Sequence, residues 1–242
     1  MNLETYDLFS RQIPFLGMER QEMLLQKKAV VVGAGGLGSF ASEMLVRAGL
    51  GFVRIVDRDL VEETNLHRTL FERKDIGKPK ALIIKQKLED INPECRVQDM
   101  SENLTNYNAE KLLAGFDVVV DCSDNMEVRY VINKFCMKNG IPWVYGSALR
   151  DEGFSSTFLP PGKPCFACLY PRKPGSLPLC SVEGVISPVI GIIASWEVME
   201  VIKLLTGLGE PNHGKLFRVK LKKPKFEFLN IKPRRSCEVC GT

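Results

Sequence analysis

Residues 29–38 of the chain read Ala29-Val30-Val31-Val32-Gly33-Ala34-Gly35-Gly36-Leu37-Gly38. A short apolar run is followed by four glycines in six positions and then by a helical pattern over 39–48. Such a run suits a strand buried on both faces. Glycines at that turn let the backbone approach a phosphate, and the helix N-terminus offers free N–H groups with a partial positive charge. The same glycines can also serve only to pack strand against helix. Asp57 ends the next apolar run, 52–56, and follows Gly38 by 19 residues, where an acidic group accepts ribose hydroxyls. These residues alone point to NAD or another nucleotide.

Working outward, helical patterns over 80–91 and 128–139 alternate with apolar runs over 116–120 and 142–147. The alternation predicts βαβ units in an α/β, Rossmann-like doubly wound sheet, preceded by an N-terminal helical segment. From about residue 150 the pattern changes. Segments 154–159, 216–221 and, more loosely, 226–231 alternate apolar and polar residues, as antiparallel strands extending the sheet would. Between them, residues 160–184 are rich in Pro, Gly and Cys and read as an exposed connection. Ser187-Pro188 offers an N-cap with proline at the first helical position of a core or interface helix reaching Leu205. Without repeats or a Gly/Ser linker, 1–242 reads as one domain, with a nucleotide-binding half over about 27–150 and a second half over about 151–242.

Composition excludes several classes. The chain has 242 residues, 45% hydrophobic and 26% charged, an ordinary globular balance that rules out disordered and collagen-like chains. Thirty-three basic against 29 acidic residues give +4, which argues against a dedicated nucleic-acid surface. The longest uncharged stretches, 29–42 and 184–196, fall short of a membrane span. Glu4 and Asp7 stand where a signal peptide needs a basic start, so the expectation is a cytoplasmic protein without membrane contact. Eight cysteines are too few for a disulfide scaffold, and in a reducing compartment their spacing matters more than their number. Four fall in two pairs, Cys165-x-x-Cys168 and Cys237-x-x-Cys240, separated by 68 residues. They suit a tetrahedral zinc ion or a redox pair. Cys95, Cys122 and Cys136 read as small core residues.

Asp59, Asn65, Arg68 and Lys80 follow Asp57, and Asp121-Cys122-Ser123-Asp124-Asn125 ends the third strong strand. Hydride transfer needs a stacking surface for nicotinamide and a proton donor. Nucleotidyl transfer needs cations against phosphates and a carboxylate for Mg²⁺, and these residues match the second.

The glycine run, Asp57-Arg58-Asp59, Asn65-Leu66-His67-Arg68, Gly77-Lys78-Pro79-Lys80, residues 121–125 and the two CxxC pairs occur in the order of the ThiF/MoeB/HesA adenylyltransferases. The chain resembles that family, relatives of the ubiquitin-activating enzymes, over roughly 5–241. The resemblance implies ATP- and Mg²⁺-dependent adenylation of the C-terminal Gly-Gly carboxylate of a small ubiquitin-like sulfur carrier, of thiamin or molybdopterin type. It assigns Gly36 to close phosphate approach and Asp57 to the ribose. Thr64, Asn65, Leu66, His67, Arg68 and Lys80 line the nucleotide, with Asn65, Arg68 and Lys80 on its phosphates. By the same resemblance Asp124 would hold Mg²⁺, with Asn125 beside it. Arg11, in Leu8-Phe9-Ser10-Arg11-Gln12, matches an arginine sent into the partner's site, implying a homodimer. Cys165, Cys168, Cys237 and Cys240 become ligands of structural Zn²⁺. Cys180 aligns with a cysteine that some relatives use for a covalent adduct with the carrier. The chain ends just after the zinc pair, so a sulfur donor is expected in trans. Two rival enzymes are a tRNA threonylcarbamoyladenosine dehydratase of similar fold, which the double CxxC disfavours, and an NAD-binding dehydrogenase, which Asn65, Arg68 and Lys80 disfavour. A non-enzymatic scaffold is disfavoured by the intact nucleotide cluster.

Overall fold

Residues 29–32 divide their side chains between two cores: Ala29 and Val31 on one face, Val30 and Val32 on the other. The run is continuous because helices cover both faces of the strand. The computed structural model of the chain describes residues 3–171 and 183–241. It opens on α1 (Leu3–Phe9), α2 (Ile13–Leu16) and α3 (Met18–Gln26). The parallel part follows as β1 (Lys28–Val32), α4 (Gly36–Arg47), β2 (Phe52–Val56), α5 (Lys80–Ile91), β3 (Arg96–Met100), α6 (Ala109–Leu113), β4 (Val118–Asp121), α7 (Met126–Asn139) and β5 (Trp143–Leu149). Then come β6 (Glu152–Phe158), α8 (Phe166–Leu169), α9 (Ser187–Thr206), β7 (Lys215–Lys220) and β8 (Lys225–Asn230).

The strands form one sheet in the order β3-β2-β1-β4-β5-β6-β7-β8. Pairs from β3 to β5 are parallel, and those from β5 to β8 are antiparallel. The chain leaves β1 toward β3 and returns to β4 on the other side, so the switch point lies between β1 and β4, where Val32 pairs with Asp121. Ligands of such sheets bind outside the carboxyl ends of the strands at this crevice. Cys95, Cys122 and Cys136 are buried, as expected of small core residues.

Helix α9 packs against α4, β5 and β6. Its acidic residues turn inward. Glu200 is buried, accepting hydrogen bonds from Thr157 Oγ1 at 2.7 Å, the Asn212 amide at 2.6 Å and Lys203 Nζ at 2.6 Å. This ties α9 to β6 and to the turn before β7.

Two expectations need correction, and two short elements come in addition to those expected. Ile186, not Ser187, caps α9; Ser187 and Pro188 lie in its first turn, and no side chain caps it. The stretch 160–171 is not wholly exposed, since Cys165 and Phe166 are fully buried. Strand β3 and helix α6 were absent from the sequence reading: β3 has a single buried residue, Val97, and α6 is five residues long. No described helix is long and apolar enough to cross a membrane.

Candidate functional site

At the end of β1 the chain turns sharply. Gly33 has φ +95°, and a Cβ there would stand 2.7 Å from the Cys122 carbonyl oxygen. A Cβ on Gly38 would stand 1.7 Å from the Gly33 carbonyl oxygen, so the first turn of α4 can close on β1 only with glycine. A Cβ on Gly36 would meet Ile190 Cδ1 at 2.8 Å and the Arg68 carbonyl at 3.2 Å, whereas Gly35, at the N-cap of α4, faces open space. Open space therefore lies at Gly35, beside the N–H groups of the first turn of α4. Gly36 admits its two protein neighbours.

Four other segments converge on this turn. Asp57 Oδ2 accepts the Ala34 amide at 2.6 Å, and Oδ1 accepts the Asp59 amide at 2.7 Å. Burial pushes the Asp57 carboxyl above its usual range against the pull of those two amides. A 3-10 turn, Glu63–Arg68, presents the second segment. Asn65 is buried in a capping box with Glu62, whose amide donates to Asn65 Oδ1 at 3.1 Å. Arg68 Nη1 donates to the Thr64 carbonyl. Thr64 and His67 are exposed, while Leu66 packs on the core between them.

Lys80, the first residue of α5, is 9% exposed and pairs with Asp59 Oδ2 at 3.0 Å. The last segment leaves β4. Asp121 is fully buried; its Oδ1 accepts the Ser123 amide at 3.0 Å and the Ser123 hydroxyl at 2.6 Å. Burial pushes the Asp121 carboxyl up to about 6, with the Arg129 guanidinium pulling the other way. Asp124 and Asn125 are exposed, and Asn125 caps α7 by accepting the Glu127 amide at 2.9 Å. Sequence reasoning named these segments but missed the Asp59–Lys80 pair and the inward turn of Glu197. Glu197 is fully buried, with its carboxylate 3.7 Å from Cys122 Sγ and close against Gly146.

Arg11 stands apart, on the turn between α1 and α2. The turn is anchored by buried Phe9, Ile13 and Leu16, and by Gln12 Nε2 donating to Gln21 Oε1 at 2.7 Å and to the Ala48 carbonyl at 2.9 Å. Arg11 itself is exposed.

On the opposite face of the sheet from α9, the sulfurs of Cys165, Cys168, Cys237 and Cys240 all lie within 4.8 Å of one another. Cys165 and Cys237 are 3.6 Å apart and Cys168 and Cys240 3.4 Å, far beyond a disulfide bond. A tetrahedron of thiolates at the ~2.3 Å zinc–sulfur distance has edges of about 3.8 Å, so the donor set and its size fit Zn²⁺. Burial pushes the Cys165 and Cys240 thiols up, while against its own burial backbone amides hold Cys237 down at about 7. Four thiolates this close repel one another, and a cation offsets that charge. The Arg234 amide donates to Cys168 Sγ at 3.4 Å and Asn133 Nδ2 to Cys165 Sγ at 3.7 Å, which orients two of the four. Cys180 lies outside the described residues.

The ThiF family model matches residues 9–239. A sulfur carrier protein adenylyltransferase of Thermus thermophilus is 38% identical over 98% of this chain and 92% of its own length. The molybdopterin-synthase adenylyltransferase of Escherichia coli is 37% identical over 96% of this chain and 95% of its own. Among solved structures, E. coli MccB with MccA-N7isoASN superposes with a TM-score of 0.87 at 25% identity, over 98% of this chain and 75% of that one.

Proposed function

We propose that this chain, which belongs to the ThiF family, adenylates the C-terminal carboxylate of a ubiquitin-like sulfur carrier protein with ATP. The relatives named above are adenylyltransferases, one acting on a sulfur carrier protein. The observation that carries the reading is the convergence on one crevice of the glycine turn, Asp57, the Glu63–Arg68 turn, Lys80 and Asp124.

In this reading the nucleotide lies along the turn, with its ribose toward Asp57 and its phosphates toward Asn65, Arg68, Lys80 and the first turn of α4. A carboxylate oxygen of the carrier attacks the α-phosphorus. A mixed carboxylic–phosphoric anhydride bond forms between that oxygen and phosphorus, and the bond from phosphorus to diphosphate breaks. Negative charge gathers on the phosphoryl oxygens, and fixed cations stabilise that state more than the ground state. The attacking oxygen is already anionic, so no general base is required and His67 needs no proton role. Asp124 is an exposed carboxylate beside the crevice, a hard oxygen donor that fits Mg²⁺. The ion would be held by Asp124 and the phosphates, and it supplies neutralising charge.

The second half, about 151–242, receives the carrier. Phe226, Phe228 and Leu229 are exposed on edge strand β8, with exposed Lys222, Lys223, Lys225 and Lys232 nearby. This combination suits a partner with an apolar face and acidic flanks. Zinc ties the C-terminal segment to α8 in the same half. A sulfur donor acts in trans on the acyl-adenylate, and Cys180 is the thiol assigned to any covalent adduct with the carrier. Arg11 is exposed on an anchored turn flanked by exposed Tyr6, Leu8, Phe15 and Met18, and it completes the partner's site in a homodimer. The setting is the cytoplasm, where the thiols stay reduced.

The test is isotope exchange between diphosphate and ATP. It should require Mg²⁺ and a carrier ending in Gly-Gly. Arg11→Ala and Asp124→Ala chains, each inactive alone, should regain exchange when mixed, at one composite site per dimer. Exchange without carrier, or no rescue after subunit mixing, contradicts the carrier or the trans arginine respectively.

A further inference from the structure

We propose that Asp59 is a positioning residue that holds the Lys80 ammonium in the nucleotide-free chain and yields it to phosphate when ATP binds. The proposal rests on the adenylation reading above and names the counter-charge against which the phosphates compete.

The pair is asymmetric. The Lys80 side chain is 11% exposed, whereas that of Asp59 is 55% exposed, and the two meet at 3.0 Å. A cation so deep is held beside carboxylates, Asp57 within electrostatic reach and Asp59 in direct contact, so losing Asp59 weakens its pairing without leaving it alone. Its partner, by contrast, opens to solvent. The cation is the fixed member and the anion the exchangeable one.

Asp59 grips Lys80 at two points. Its carbonyl accepts the Lys80 amide at 2.9 Å, satisfying a free N–H of the first turn of α5, and its carboxylate takes the ammonium. Its own amide donates to Asp57 Oδ1, and Asp57 Oδ2 accepts the Ala34 amide. A continuous strap therefore runs from the glycine turn through Asp57 and Asp59 to Lys80. Asp59 also has a fallback partner, since Arg58 Nε lies 3.7 Å from its other carboxylate oxygen. When phosphate takes Lys80, Asp59 keeps Arg58 and water. When diphosphate departs, Asp59 recovers Lys80, so the ammonium stays paired throughout the cycle.

Two anions competing for one ammonium weaken each other's hold. Asp59→Asn keeps the shape and removes one competitor. Calorimetric titration of the full chain should then show ATP and inorganic diphosphate binding about fivefold more tightly, with adenosine unchanged. Asp59→Glu should return both affinities to the wild-type value. In a Lys80→Met background, which keeps the apolar stem, Asp59→Asn should change diphosphate affinity by less than about twofold.

Weaker binding of ATP and adenosine alike in Asp59→Asn would assign Asp59 a purely structural role and overturn the proposal. A full gain persisting in Lys80→Met would also overturn it, because Asp59 would then act by direct repulsion. These titrations contain no carrier. A chain that passes them but shows no carrier-dependent exchange contradicts the adenylation reading alone.

Discussion

Residues 29–32 of β1 and Val118–Asp121 of β4 are at most 3% exposed, whereas β8 leaves Phe226 and Phe228 more than half exposed. The parallel half has helices on both faces and coheres through burial of continuous apolar runs. The antiparallel half reaches outward to a bare edge and relies on specific ties. Trp196 stacks on Phe217 with ring centroids 4.2 Å apart, Arg218 and Lys220 pair with Glu152, and four cysteines gather the C-terminal segment onto α8. A self-supporting sheet can place exposed charges at its strand ends for chemistry. Strands β6 and β7 are covered by α9 on one face and by the α8 cluster on the other, so among the described residues the apolar side chains of β8 stay open as a surface a partner can take.

The largest effect that would separate the two halves is loss of the metal site. Cys168→Ser or Cys240→Ser should lower stability by about 4 kcal/mol, roughly 8–16 °C in Tm, with bound zinc falling well below one ion per chain. Diphosphate exchange, measured cold on the folded fraction, should fall by no more than about twofold, because the cysteines and the crevice share no ligand. Equal loss of both properties would break the division between the halves.

A smaller effect probes the joint where α9 crosses from one half to the other. Glu197 is buried against Cys122 and Gly146, with Asp121 and Arg129 nearby. Burial, reinforced by the Asp121 charge, pushes its carboxyl well above the usual range. The unfolded chain releases this proton near pH ~4.3 while the folded chain keeps it. The stabilising contribution is therefore complete below that pH and declines as pH rises toward the folded value. Asp121, pushed up to about 6, adds a decline of the same sign between about pH 4 and 6. Glu197→Gln should flatten part of this slope in chemical denaturation between pH 5 and 8 and gain stability relative to wild type as pH rises. An unchanged slope would mean that Glu197 is ionised in the folded chain.

Much of this architecture was legible because the parallel half writes itself locally. The run ending at Val32, the glycines after it, and 52–56 and 80–91 as β2 and α5 follow from residues adjacent in sequence. Strand β3 was not legible, because an edge strand with one buried side chain has neither a continuous nor an alternating pattern. The site was legible as a set of segments but not as contacts. Glu200 is buried because Thr157 and the Asn212 amide meet it, and no local pattern announces partners so distant along the chain. Likewise, Lys80 and Asp59 read as members of one polar cluster, but 21 residues apart they give no sign of pairing until the turn between them closes through the Leu60–Pro79 bridge. The double CxxC was visible as a candidate zinc site; that its first pair would be buried in a stretch rich in Pro and Gly was not.

If nucleotide chemistry belongs to the exposed charges at the end of the parallel half, it depends on Asp124. This side chain is exposed at the mouth of the crevice and contributes nothing to the core. Carrier-dependent ATP–diphosphate exchange and thermal unfolding should be measured on the same preparation of Asp124→Ala. The account predicts a loss of exchange of at least about 100-fold, with stability within about 0.5 kcal/mol of wild type. Exchange retained within a few-fold of wild type, in a folded protein, would contradict it.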